Sequence, residues 1–167
     1  IRTGRASTTI LDGLKIDSSI PNNWDQGPLL TALQASDAVI NLVGAPIAEK
    51  RWTPSHCNEL VRSRIETTRS LVDAMAKLKK TPKVLLNASA VGYYGTSLDS
   101  RFSENSPPGD DFLGRLCADW EEVAGRKPRR TRLVTLRFGI VLGSDGGALA
   151  KMVPIFRAGL GGPIGSG

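Results

Sequence analysis

Apolar and polar positions follow two rhythms along this chain. Residues 37–44, DAVINLVG, make a continuous apolar run, the pattern of a strand buried on both faces. Further strands are predicted over 83–90, KVLLNASA, and 132–143, RLVTLRFGIVLG. Between them the spacing becomes helical. Leu60, Val61, Ile65, Leu71, Val72 and Met75 recur on one stripe after Thr53-Pro54, which predicts a long helix with Thr53 as N-cap and Pro54 at the first helical position. That helix runs into a lysine-rich turn before Pro82. A short helix is predicted over 29–36, and another over 111–125 with Leu113, Leu116, Cys117, Trp120 and Val123 on one face. A further helix is expected over 147–158. Strands alternating with helices indicate an α/β protein with a mostly parallel sheet.

Composition leaves that picture in place. Of 167 residues, 40% are apolar and 23% charged, which suits one globular domain with a real core. No apolar run approaches the roughly 18 residues of a membrane span. The first residues, IRTGRASTT, lack the apolar stretch of a secretory signal and open without Met. The chain closes on GGPIGSG, so both ends are expected to continue and the domain over 1–167 to be incomplete.

The net charge of +6 raises the question of nucleic acid. Much of the excess lies at Lys77, Lys79 and Lys80 and at Arg126, Lys127, Arg129, Arg130 and Arg132, at predicted helix ends and loops, where the helix dipole favours cations. No aromatic residues are interleaved there to stack bases, so neither a nucleic-acid nor a membrane partner is expected. Cys57 and Cys117 form no CxxC pair and the single His completes no zinc site with them. They read as reduced thiols of a cytoplasmic protein, with the plastid stroma as the alternative.

In an open α/β sheet, ligands bind beyond the carboxyl ends of the strands. The first strand ends Asn41-Leu42-Val43-Gly44, where a glycine lets backbone approach a ligand. The second ends Asn87-Ala88-Ser89-Ala90 and runs into Gly92-Tyr93-Tyr94-Gly95; the third ends Arg137-Phe138-Gly139-Ile140-Val141-Leu142-Gly143. Each could be an ordinary turn, where Gly and Ser are common. Three together favour a ligand site.

The ordered strings NLVGAPI, RW, VRSRIETT, NASAVGYYG, WEE, LRFGIVLGSDGGALAKM and GLGGPIGSG carry a resemblance over residues 37–167. They resemble the epimerase-like branch of atypical short-chain dehydrogenases, some of whose members carry a cell-division-inhibitor label. The resemblance implies a Rossmann-like, doubly wound sheet binding NADP(H), with NAD possible, and a small-molecule substrate. It also implies a glycine-rich phosphate loop before Ile1 and a substrate-side segment that begins over 144–167. Arg2 or Arg5 is the candidate for an adenosine 2′-phosphate, since the guanidinium fork matches phosphate geometry. Asn41, Gly44, Phe138 and Val141 are expected to line the cofactor. Arg64, in a stretch like the family's SRI-x-T motif, is expected to reach a cofactor phosphate or an acidic neighbour.

One departure stands out. Extended members of that superfamily use a Ser and a Tyr-x-x-x-Lys on the following helix, where the phenol moves the proton that accompanies hydride transfer. With Glu121 set at the glutamate that commonly ends the motif, Tyr falls on Leu113 and Lys on Cys117; a shift by one gives Phe112 and Leu116. Neither register holds a phenol or a cation. Ser89 and Tyr94 remain as catalytic candidates at the strand end, although Leu98 stands where a lysine would follow Tyr94. Tyr94 also has a plainer reading as an aromatic packed over the cleft. His56 is expected to face solvent, and Trp52 and Trp120 to form walls. Two functions fit: an NADP(H)-dependent oxidoreductase or nucleotide-sugar-epimerase-like enzyme, or a cofactor-binding regulator, related to cell division, that has lost catalysis.

Overall fold

The computed structural model describes residues 26–48, 50–142 and 147–162; Arg2, Arg5, the Asp145-Gly146 turn and the tail from 163 onward lie outside the described residues. In chain order come α1 (Gln26–Ala35), β1 (Ala38–Asn41), α2 (Pro54–Ala76), β2 (Val84–Ala90), a 3-10 turn (Val91–Tyr94), α3 (Phe112–Gly125), β3 (Arg132–Phe138) and α4 (Gly147–Arg157). The strands form a parallel sheet in the order β1-β2-β3, with Ala38 opposite Val84 and Val84 opposite Arg132.

Local chemistry sets the helix starts. Thr53 is extended and its hydroxyl accepts from the His56 N–H at 3.2 Å, with Pro54 at the first helical position as the sequence predicts. Asp111 caps α3 by accepting from the Gly114 N–H at 2.7 Å. Both long helices pass into basic connections through Lys77 and Arg126 at their C-caps.

Parallel register gives the sheet two unlike faces. Val39, Leu85 and Leu133 share one row, Asn41, Asn87 and Thr135 the next, and Ser89 and Arg137 the last. This face packs on α1, α2 and α3. Leu29 and Leu33 of α1, Leu71, Val72 and Met75 of α2 and Leu85 form one core. Ala45, Leu60, Ile65, Leu116, Trp120 and Val123 form a second, nearer the carboxyl ends of the strands. Each fully buried Leu or Met here contributes about 1.5–3 kcal/mol relative to exposure.

Burial of β1 on both faces is not met among the described residues: Ile40 is 41% exposed on the face opposite the helices. The first and third strands are also shorter than their apolar runs. β1 stops at Asn41 because that side chain turns into the core and its Oδ1 accepts from the Val43 N–H at 3.4 Å, which bends the chain off the ladder. β3 stops at Phe138, and Ile140, Val141 and Leu142 run on exposed. No helix among the described residues is long and apolar enough to cross a membrane.

Candidate active site at the carboxyl edge of the sheet

Two polar rows cross the helix-covered face. In the first, the Asn41 amide donates to Asn87 Oδ1 at 2.6 Å and to Thr68 Oγ1 of α2 at 2.8 Å, and Trp120 Nε1 of α3 donates to the same hydroxyl at 2.7 Å. Both asparagines are buried, so this row fixes the end of β1 against β2 and both helices. Asn41 therefore supports the strand end, with its amide engaged inside the protein.

Of the two expectations for Arg64, the acidic neighbour is not met among the described residues. Nη2 donates to the Ala45 carbonyl at 3.0 Å and Nη1 to the Leu60 carbonyl at 3.2 Å, while the guanidinium lies 5.4 Å from the Trp120 ring centre. It meets backbone carbonyls rather than an acidic neighbour, and burial holds it below the usual arginine value. A side chain on Gly44 would meet this guanidinium at 2.9 Å, so the glycine makes room for Arg64 beneath the turn after β1.

The second row brings a hydroxyl, a carboxylate, a guanidinium and a phenol together. Ser89 and Arg137 are register partners on β2 and β3, and Glu121 of α3 reaches down between them. Ser89 Oγ donates to Glu121 Oε1 at 2.6 Å. Arg137 grips the same carboxylate with both prongs, Nε to Oε1 and Nη2 to Oε2, each at 2.8 Å. Nη1 then donates to the Tyr94 hydroxyl at 2.9 Å and to the Glu104 carbonyl at 3.0 Å. The guanidinium also lies 3.5 Å from the Tyr93 ring centre. Hydrogen bonds to Glu121 raise Arg137 above its ordinary value, so it is charged at every accessible pH. The pair is largely shielded, at 17% and 15% side-chain exposure, and removing either partner would strand a charge.

Ser89 is 3% exposed and its hydroxyl donates to Glu121. Tyr94 is half-buried, its ring stacked on Phe102 at 5.2 Å. Its oxygen accepts from Arg137, which leaves the phenolic proton free to be donated. The two candidates thus share one cluster, joined through Arg137 and Glu121. Reading the sequence missed both of these. A signal existed in Glu121, four residues beyond Cys117, and in an arginine at the next-to-last position of a strand.

The helix face that would carry Tyr-x-x-x-Lys is occupied as the first register reads. Leu113 lies against Gly92, where an added Cβ would be 3.4 Å from its own. Cys117 borders Ser89 and Ala90, and its thiol is pushed up by burial, which makes it a poor nucleophile. The loop between the 3-10 turn and α3 closes on Gly95 and Gly109. Gly95 has φ of +70°, and the Gly109 N–H donates to the Tyr93 carbonyl at 2.8 Å. Beyond these groups, Phe138 and Val141 are 43% and 72% exposed at the carboxyl edge.

His56 does not face solvent. It is buried, with Nδ1 donating to Glu59 Oε2 at 3.1 Å and Nε2 without a partner among the described residues. That hydrogen bond, with Lys50 beside it, holds the Glu59 carboxyl below its usual range. No group of three or more potential metal ligands occurs among the described residues.

Known proteins share this fold. A chloroplastic homologue of the epimerase family protein SDR39U1 from Arabidopsis thaliana is 47% identical over 81% of this chain and 39% of its own length. The crystal structure of human SDR39U1 isoform 2 with NADPH matches at 43% identity with a TM-score of 0.74, over 83% of this chain and 50% of that one. A UDP-glucuronic acid 4-epimerase from Bacillus cereus, solved with NAD, shares the fold at 22% identity and a TM-score of 0.64, over 81% and 43% of the two chains. The chain spans about half the length of the curated relatives it matches, or less (50% and 39% for the human and Arabidopsis proteins). The NAD dependent epimerase/dehydratase family model matches residues 22–160, and the chain belongs to that family.

Proposed function

We propose that this chain forms part of an NADP(H)-dependent oxidoreductase or epimerase-like enzyme acting on a small carbonyl or hydroxyl substrate. The observation that carries this reading is the Tyr94 hydroxyl, held at 2.9 Å by Arg137 at the end of β2 with its own proton uncommitted. The chain's residues fit the cofactor. Phe138 and Val141 offer exposed apolar support for a flat ring, and the turn at Gly44, seated on Arg64, follows the end of β1 where a cofactor would pass. Asn41 and Arg64 serve that surface by fixing the backbone beneath it. Arg2 and Arg5 remain the candidates for the 2′-phosphate, and the segment from 144 onward for the substrate side.

A bound NADPH would supply a hydride to the carbonyl carbon. Tyr94 gives its proton to the carbonyl oxygen as the C=O π pair moves onto that oxygen, and solvent water restores the phenol. Ser89 does not touch substrate in this scheme; it holds Glu121.

A second reading, a cofactor-binding regulator without turnover, is favoured by one observation. Leu113 and Cys117 occupy the face where a phenol and an amine would stand. One assay separates the two. NADPH and NADH are titrated by fluorescence and NADPH consumption is followed over a panel of aldehydes, ketones and quinones. The enzyme reading expects NADPH to bind more tightly than NADH and at least one carbonyl to be reduced. Tight NADPH binding with no turnover favours the regulator, and equal affinities remove the phosphate role of Arg2 and Arg5.

A further inference from the structure

We propose that Arg137 is a positioning residue for Tyr94, supplying from β3 the cation that a Tyr-x-x-x-Lys pattern supplies from the helix. This rests on the oxidoreductase reading above. Several observations converge on it. The helix positions at that spacing hold Leu113 and Cys117, neither a cation, and Arg115 of α3 is exposed and out of that spacing. The side chains of Arg137 and Ser89 leave adjacent strands in register and on the same face, which aims both at the end of β2. Arg137 is itself fixed from three directions: the Glu121 carboxylate below, the Tyr93 ring at 3.5 Å and the Glu104 carbonyl at 3.0 Å.

These contacts also say what Arg137 is not. Four of its five N–H groups are engaged within the protein, two on one carboxylate, so it is not an anchor for an anionic substrate. Its remaining consequence is the place of the Tyr94 oxygen. With Phe102 stacked on the Tyr94 ring and Nη1 donating to the oxygen, both the ring plane and the hydroxyl are set, and the phenolic proton is the free element. When that proton leaves, the charge on the oxygen forms beside a donor already in place, with no reorganisation at the moment of transfer. A pair serving stability alone would be complete with Glu121 and would not need the phenol.

The test uses the full chain with 3-fluorotyrosine placed at position 94 alone. Fluorine spectra at neutral pH and melting curves are recorded for wild type, Arg137→Gln and Arg137→Lys, with NADPH affinity and quinone reduction measured alongside. In Arg137→Gln the fluorine resonance is expected to move toward that of the unfolded chain, NADPH affinity to stay within about twofold, and kcat to fall about tenfold or more with KM little changed, as loss of orientation predicts. Arg137→Lys keeps a charge and a donor, and is expected to return the resonance and kcat part of the way. An unmoved resonance in a folded Arg137→Gln protein overturns the proposal. So does an Arg137→Lys protein that melts like wild type yet leaves the resonance and kcat where Arg137→Gln leaves them. A wild type that reduces no aldehyde, ketone or quinone of the panel defeats the oxidoreductase reading separately, because the fluorine spectrum still decides whether Arg137 places Tyr94.

Discussion

Tyr94→Phe is expected to lower carbonyl reduction by about two to four orders of magnitude, the contribution of a well-placed acid. The substitution removes one oxygen and keeps the ring that stacks on Phe102, so cofactor affinity should hardly change and the melting temperature should fall by no more than a few degrees. Arg137 loses one acceptor but retains Glu121 and the Glu104 carbonyl, which limits the structural cost to about the 0.5–1.5 kcal/mol of one hydrogen bond. Measuring kcat, NADPH affinity and thermal melting on the same preparation separates the two effects. Turnover that survives the substitution removes Tyr94 from the chemistry, while equal losses of turnover and stability make it a structural aromatic.

Gly114→Ala should have the largest effect on stability. A Cβ there would overlap the Gly109 carbonyl oxygen and fall 2.8 Å from its carbon. These are backbone atoms, and Gly109 cannot retreat, because it is itself packed on Gly95 at a spacing that leaves no room for a side chain. Alanine gains about 1 kcal/mol of helix propensity over glycine. Forcing the backbone apart costs about 1–3 kcal/mol or more in comparable overpacked sites. The clash lies between main-chain segments, so it wins. The melting temperature should drop by several degrees, at about 2–4 °C per kcal/mol for a chain of this size. Activity should fall with it, since the same loop carries the Tyr93 carbonyl that receives the Gly109 N–H. Gly125→Ala is the control: nothing lies within 4 Å of its Cβ position, and it should be neutral or mildly stabilising.

These two sites show what could be read from the sequence and what could not. Thr53-Pro54 and Asp111 announce their helices locally, and the apolar runs announce the strands, because capping and burial depend on neighbours in the chain. Strand ends were overestimated by the same logic: an apolar run says nothing of where its ladder partner stops, and Ile140 to Leu142 continue past the last pair. The covered stripe of α2 was read only through its apolar members. His56, Leu60 and Arg64 follow one another at four-residue intervals and all are buried, so the spacing held the answer that polarity obscured.

The Ser89–Glu121–Arg137–Tyr94 cluster was legible in half. Ser89 and Tyr94 stand out as a hydroxyl and a phenol after a strand. Glu121 and Arg137 become site residues only through the register of β2 against β3 and the placement of α3 over both, which are tertiary facts. Gly44 shows the converse. Its small size suggested an approach by ligand, and the structure supplies a nearer cause in the Arg64 guanidinium.

The central claim is that the carboxyl edge of this sheet is a cofactor site with Tyr94 as its reacting group. A structure of the protein with NADPH tests it most directly. The nicotinamide is expected on the side of Phe138 and Val141, with its reactive carbon on the order of 4–5 Å from the Tyr94 oxygen, so that a carbonyl between them has its oxygen within hydrogen-bond reach of the phenol. A nicotinamide lying over Leu113 and Cys117 with Tyr94 out of reach, or no NADPH at the strand ends, would contradict it.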